Sequence, residues 1–160
     1  MSAMSGPPGE PLRLGFAGTG WIGRHRMQSA VQTGIAQAAA LVEPSPEMAE
    51  MALNIAPEAE VIDSFEDMLR CDLDGIVIAT PSAMHAAQSI AALDRGFPVF
   101  CQKPLGRTER EVQAVVDAAR KADRLLSIDL SYRFTEGMRQ IRELIRSGSL
   151  GTVFAADLVF

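Results

Sequence analysis

The chain has 160 residues, 48% of them hydrophobic and 22% charged, which is enough for one domain with a full core. Its formal net charge of -5 at pH 7 argues against nucleic acid or an anionic membrane surface as the main partner. The two cysteines, Cys71 and Cys101, form no CxxC pair and have no histidine cluster nearby, which indicates a cytoplasmic location and no metal site.

Short apolar runs alternate along the chain with longer helical stretches, as in a parallel sheet covered by helices. The predicted strands are 12–17, 37–42, 61–62, 75–79, 98–101 and 125–130. The predicted helices are 22–33, 47–54, 65–70, 84–95, 108–122 and 135–146. Thr108 and Glu111 form a capping-box signature, and Gly96 is a predicted C′ glycine. The predicted fold class is α/β, a doubly wound parallel sheet of the Rossmann type.

The ends of the chain differ from this pattern. Residues 1–10 have neither a basic start nor an apolar core, so they are predicted to be a flexible tail rather than a signal peptide. Residues 11–150 are predicted to form the Rossmann domain. Residues 151–160 are predicted to be the first strand of a second α+β domain that is otherwise missing. A strand without a partner exposes backbone donors and acceptors, so we expect self-association through it.

The loop after the first predicted strand contains a GxGxxG motif. Its residues are Gly18, Thr19, Gly20, Trp21, Ile22 and Gly23. Between a strand and a helix, the three glycines allow a tight turn, a close approach of backbone to a pyrophosphate, and close packing of helix on sheet. The motif therefore predicts dinucleotide binding. The alternative is a purely structural turn.

Glu43 ends the second predicted strand, 43 − 23 = 20 residues after the last glycine of the motif. A carboxylate at this position accepts hydrogen bonds from the adenine-side ribose hydroxyls and repels a 2′-phosphate. Glu43 therefore favours NAD over NADP as the cofactor. The alternative is a solvated loop glutamate.

Two further strand ends carry polar residues at the carboxyl edge, where such sheets bind ligands. Thr80 and Pro81 follow the fourth strand, and we count His85 with them as a cofactor-side residue, with helix packing as its alternative role. Gln102 and Lys103 follow the fifth strand, and the proline after Lys103 restricts its backbone. Lys103 is the candidate catalytic residue, with an ordinary surface lysine as the alternative.

The ordered combination of these motifs resembles the Gfo/Idh/MocA oxidoreductases, the relatives of glucose–fructose oxidoreductase and inositol 2-dehydrogenase. The resemblance implies that Lys103 is the family's catalytic-site lysine and that Thr80 and Pro81 line the nicotinamide. It places Tyr132 and Arg133 on the substrate side, with helix-entry packing and a surface salt bridge as the alternative. The family pattern reads Glu-Lys-Pro, and here Gln102 replaces the glutamate.

The resemblance also implies a second domain with the substrate pocket and an Asp/His pair, which we do not expect within these 160 residues. The expected function is the NAD-binding half of an oxidoreductase that moves a hydride between nicotinamide and a sugar or polyol carbon. The expected partner of the complete protein is that small-molecule substrate, and the chain alone is expected to be inactive. Two alternatives stay open: a non-catalytic dinucleotide sensor or regulator, and an inactive truncated fragment.

Overall fold

In the computed structural model, which describes residues 9–157, six parallel strands form one sheet. The strands are β1 (Leu12–Ala17), β2 (Ala36–Val42), β3 (Glu60–Val61), β4 (Gly75–Ile78), β5 (Val99–Cys101) and β6 (Leu126–Ile128). Their order across the sheet is β3-β2-β1-β4-β5-β6, and every neighbouring pair is parallel. The strand order reverses direction between β1 and β4, which is the doubly wound topology. The predicted fold class is confirmed.

Five helices connect these strands. They are α1 (Trp21–Gln32), α2 (Pro46–Leu53), α3 (Phe65–Met68), α4 (Ser82–Asp94) and α5 (Glu109–Ala122). The predicted bounds of strands and helices agree with the structure to within two residues. The largest error at a helix start is in α4, which begins at Ser82 rather than Met84, because Pro81 already serves as its N-cap. Gly96 follows the C-cap of α4 with φ of +87°, as predicted for a C′ glycine.

The predicted capping box of α5 is half formed. The Thr108 hydroxyl accepts a hydrogen bond from the Glu111 N–H at 3.2 Å. The Glu111 carboxylate, however, accepts from the Arg107 N–H at 2.6 Å and from its guanidinium, instead of bonding to the N-cap residue. These hydrogen bonds from Arg107 lower the pKa of Glu111. Arg107, the residue before the N-cap, is therefore the donor to Glu111 in place of the N-cap N–H, because its guanidinium is charged.

Apolar residues cover both faces of the sheet, because successive strand residues point to opposite sides. Along β4, Ile76 and Ile78 belong to the cluster formed with α3, α4 and α5, while Val77 belongs to the cluster formed with α1 and α2. Helices on both faces leave the carboxyl ends of the strands as the accessible edge for polar chemistry.

The chain divides into two compact units, residues up to 129 and residues from 130 onward. The second unit contains a 3-10 helix (Ser131–Phe134) and α6 (Glu136–Arg146), and no residue of α6 is buried. Residues 152–157 form no strand, because an extended segment requires a partner for its backbone groups; the rest of the predicted strand, 158–160, lies outside the described residues.

None of the helices found over residues 9–157 has the length and apolar character that crossing a bilayer requires.

Candidate nucleotide-binding site

The first feature of the site is the close approach of the loop after β1 to the end of β4. Gly18 has φ of +81°, a conformation that favours glycine. A Cβ on Gly18 would lie 2.7 Å from the Ala79 carbonyl oxygen and 2.8 Å from the Thr80 nitrogen. Only glycine fits at this position, which lies where the strand order reverses.

The other two glycines of the motif have opposite surroundings. A Cβ on Gly23 would lie 2.1 Å from the Gly18 carbonyl oxygen, so the lack of a side chain lets α1 pack against the loop. A Cβ on Gly20 would meet nothing within 4 Å, and Gly20 is the N-cap of α1 without any side-chain cap. Trp21 and Ile22 begin the helix. Backbone N–H groups at its N-terminus therefore face open space, as an anionic phosphate group requires.

Glu43 follows β2 and is bound to the glycine-rich loop. The Thr19 N–H donates to Glu43 Oε2 at 2.7 Å, and the Thr19 hydroxyl lies 3.3 Å from the same oxygen. The Ser45 N–H donates to Glu43 Oε1 at 3.1 Å. Glu43 is partly buried and hydrogen-bonded through both oxygens. It is thus not the solvated loop glutamate of the alternative interpretation.

Arg24, a residue that the motif analysis did not single out, lies beside this carboxylate loop. Its Nη1 donates to the Thr19 carbonyl oxygen at 3.0 Å and lies 2.8 Å from Met48 Sδ in α2. Arg24 therefore holds the glycine-rich loop against the start of α2. Its position one residue after Gly23 was visible in the sequence, but its two contacts belong to other elements.

The loop after β4 combines buried and exposed residues. The Thr80 hydroxyl donates to Gln88 Oε1 at 2.6 Å, which fixes the hydroxyl against α4. Pro81 is exposed, whereas His85 is only 2% exposed. His85 Nδ1 lies 2.7 Å from the Pro104 carbonyl oxygen and Nε2 lies 2.7 Å from the Thr80 carbonyl oxygen. Any influence of His85 on a cofactor is thus exerted through these two loops.

A buried polar cluster lies at the ends of β5 and β6. Gln102 is 6% exposed, and its Nε2 donates to Asp129 Oδ2. Asp129 is 7% exposed, and the same oxygen accepts from Arg26 Nε of α1. A buried carboxylate thus has both an amide and a guanidinium as donors. Asp129 was not predicted as a site residue because it falls inside the predicted sixth strand, 125–130. Its charge among apolar residues of that strand is the signal that could have identified it.

Lys103 directly follows this cluster and is exposed. The Lys103–Pro104 peptide bond is cis. Leu105 is buried in the core, and a Cβ on Gly106 would lie 2.8 Å from Glu111 Cβ, so the loop packs closely on α5. A lysine between the buried Gln102 and this packed segment has a fixed backbone position and a side chain free to meet a ligand.

Cys101, the last residue of β5, does not share this exposure. Its side chain is buried, and burial raises the pKa of its thiol to about 11. At neutral pH it is therefore a protonated, apolar core residue rather than a nucleophile.

Tyr132 and Arg133 belong to the second compact unit. Both are exposed, and the Arg133 guanidinium lies 6.0 Å from the centre of the Phe134 ring. The other predicted site residues lie in the first unit, on the loop after β1, at the ends of β2, β4 and β5, and in the first turns of α1 and α4. The predicted cofactor residues are therefore brought together at the carboxyl edge of the sheet in the first unit.

Comparisons with known proteins agree with this geometry. Residues 12–130 match the model of the Gfo/Idh/MocA oxidoreductase family, NAD-binding Rossmann fold. The rhizopine catabolism protein MocA of Rhizobium meliloti is 32% identical over 145 residues, which cover 89% of this chain and 45% of that protein.

Two solved structures are also similar. The WlbA dehydrogenase from Bordetella pertussis, in complex with NADH and UDP-GlcNAcA, gives a TM-score of 0.85 at 25% identity, covering 91% of this chain and 42% of that one. The scyllo-inositol dehydrogenase from Lactobacillus casei, with bound NAD(H) and scyllo-inositol, gives 0.78 at 25% identity, covering 88% and 42%. In each case this chain spans less than half of the similar protein.

Proposed function

Since the chain belongs to the Gfo/Idh/MocA oxidoreductases and contains their NAD-binding Rossmann fold, we propose that it binds NAD for a dehydrogenase acting on a sugar or polyol hydroxyl. The observation that carries this proposal is the glycine-rich loop. The missing side chain of Gly20 leaves open space at the N-terminus of α1. Gly18 and Gly23 allow close backbone packing, which fixes this loop between β1 and β4, where the strand order reverses. The family's other members with bound NADH or NAD(H) support it.

The preference for NAD over NADP rests on Glu43. Glu43 directly follows β2, beside the glycine-rich loop. Its carboxylate keeps lone pairs for ribose hydroxyls besides those that accept from Thr19 and Ser45. A 2′-phosphate at the same place would meet this negative charge.

Lys103 is the proposed catalytic residue. When bound, NAD accepts or returns a hydride, and the chain's own residues bind and orient the reactants. Lys103 Nζ would donate a hydrogen bond to the substrate hydroxyl oxygen and so assist the departure of its proton, from a backbone position fixed between Gln102 and the buried Leu105. Thr80 and Pro81 would lie against the nicotinamide, with Tyr132 and Arg133 on the substrate side.

Turnover by these 160 residues alone is not expected. The chain spans 42–45% of the relatives in length, and orienting a substrate supplies about 7–11 kcal/mol of a barrier. A cytoplasmic location accords with the free thiols of Cys71 and Cys101.

A cofactor titration tests the proposal. We expect NADH to bind the unaltered chain more tightly than NADPH, as followed by nicotinamide fluorescence or heat. Glu43→Ala should weaken NADH binding about 10- to 100-fold, because a hydrogen bond to a charged group contributes about 1.5–3 kcal/mol. Glu43→Gln should bring the NADH and NADPH affinities closer. Weaker restraint of the glycine-rich loop would lower both affinities, whereas removal of the negative charge would raise only the affinity for NADPH.

The matched control is Glu47→Gln, an exposed carboxylate in the first turn of α2. It should leave the ratio of the two affinities unchanged. Equal or tighter NADPH binding by the unaltered chain would contradict the assignment of Glu43.

A further inference from the structure

A neutral His85 ring cannot donate a hydrogen bond to both of its neighbouring carbonyl oxygens. Both ring nitrogens face main-chain carbonyl oxygens at 2.7 Å, and a carbonyl oxygen only accepts hydrogen bonds. A neutral imidazole has one N–H and one nitrogen without a proton. It therefore donates to the carbonyl oxygen of either Pro104 or Thr80, and at the other carbonyl the nitrogen lone pair faces the oxygen lone pairs. Only the imidazolium donates to both.

We propose that His85 is a positioning residue that ties the loops after β4 and β5 together, and that its proton decides whether one loop or both are held. The Thr80 carbonyl belongs to the loop proposed to line the nicotinamide. The Pro104 carbonyl directly follows Lys103. Thr80 and Pro104 are 104 − 80 = 24 residues apart in the chain, and His85 is hydrogen-bonded to both. The consequence for the cofactor rests on the proposed function, whereas the tie itself does not.

The charged surroundings of His85 are sparse among the described residues. Strand β4 has no titratable residue, and Cys101 of β5 stays a neutral thiol because burial raises its pKa to about 11. Arg107 and Glu111 at the start of α5 pair with each other. The Lys121–Asp94 pair joins the far ends of α5 and α4.

Two features oppose a cation here: the positive end of the α4 dipole and the neighbouring Lys103. No carboxylate bonds to the His85 ring over residues 9–157. The two carbonyl oxygens are thus the groups that favour the second proton.

Histidine side-chain NMR on the 160-residue chain tests the tie directly. The sequence has two histidines, and His25 is exposed with its ring 4.6 Å from that of Trp21, so a His25→Gln variant assigns the signals by subtraction. We expect His85 to show slowly exchanging N–H protons on both ring nitrogens, and to keep only one of them once the ring is neutral. A single neutral tautomer throughout, or exchange as fast as that of His25, would overturn the proposal.

NADH affinity is the second readout. If the ring loses its second proton when the pH is raised, we expect NADH affinity to fall roughly three- to tenfold, because one loop is released. His85→Gln should remove this pH dependence and His25→Gln should keep it. An identical pH profile in His85→Gln would overturn the positioning role. If NADH fails to bind the unaltered chain, the proposed function fails, while the NMR result still decides the tie.

Discussion

Replacing Gln102 by glutamate tests the buried cluster at the ends of β5 and β6. The change keeps the side-chain length but replaces the donating Nε2 with an oxygen, directly against Asp129 Oδ2. Among residues 9–157, Arg26 is then the charged donor that two carboxylates share. The variant also restores the Glu-Lys-Pro pattern of the family. A loss of stability in this variant would therefore reflect the surroundings of residue 102 in this chain.

The expected cost follows from two limits. If the new carboxylate stays ionised, a hydrogen bond to a charged group worth about 1.5–3 kcal/mol is lost, and repulsion is added. If it is protonated instead, it still donates to Asp129, but holding an ordinary glutamate neutral at pH 7 costs about 1.4 kcal/mol for each of roughly 2.7 pH units, or about 3.7 kcal/mol. Gln102→Glu should therefore lower the free energy of unfolding at pH 7 by about 2–4 kcal/mol.

The pH dependence has a definite sign. The neighbouring Asp129 raises the pKa of the new carboxyl group in the folded state above its unfolded value. The penalty is therefore absent below the unfolded pKa, near 4, and grows as pH rises through the folded pKa. Urea unfolding followed by far-UV circular dichroism at several pH values measures it, with the unaltered chain compared at each pH.

The chain offers an exposed copy of this cluster as the control. Gln113 Nε2 donates to Asp117 Oδ1 at 2.9 Å, and Asp117 lies 3.7 Å from Arg120. Gln113→Glu should change the free energy of unfolding by no more than about 0.5 kcal/mol, because solvent screens the new charge. Adding Asp129→Asn to Gln102→Glu should recover most of the loss, since an amide again donates to a carboxylate. Equal losses in the buried and exposed variants, or a loss independent of pH, would refute the reasoning.

Three other expectations concern separate parts of the chain. In a protein with a complete second domain, Lys103→Met should strongly reduce turnover while NADH affinity stays nearly unchanged, as steady-state kinetics and a titration would show. At neutral pH, alkylation followed by mass spectrometry should label the partly exposed Cys71 and spare Cys101, whose pKa is raised to about 11 by burial; equal labelling would contradict this. The chain should self-associate with increasing concentration in sedimentation experiments, and a version ending at Leu150 should not; an unchanged oligomer after this deletion would locate the contact elsewhere.

The sequence was informative where a structural requirement is local. The motif from Gly18 to Gly23 predicted its own geometry, because the positive φ and the close packing depend on neighbours in the same strand–loop–helix unit. Helix ends were also predicted well, since caps such as Thr108 act over three residues.

The buried cluster was not predictable in the same way. Arg26 and Asp129 are 103 positions apart, and either residue alone is an ordinary surface type. The interpretation of Gln102 as a simple substitution for a family glutamate changed once its donor role toward Asp129 was visible. The strand expected from Thr152 failed over 152–157 because alternation of apolar residues defines a strand's faces but supplies no partner.

The bonds of Glu43 to Thr19 and Ser45 affect the entropy of ligand binding. They restrain the glycine-rich loop and the start of α2 through contacts within the protein itself. Little conformational freedom then remains to be lost when a dinucleotide arrives, which favours fast association over a slow folding of the loop. The amide hydrogens of Thr19 and Ser45 should accordingly exchange slowly with solvent before any cofactor is added, as they would in a site that is already assembled.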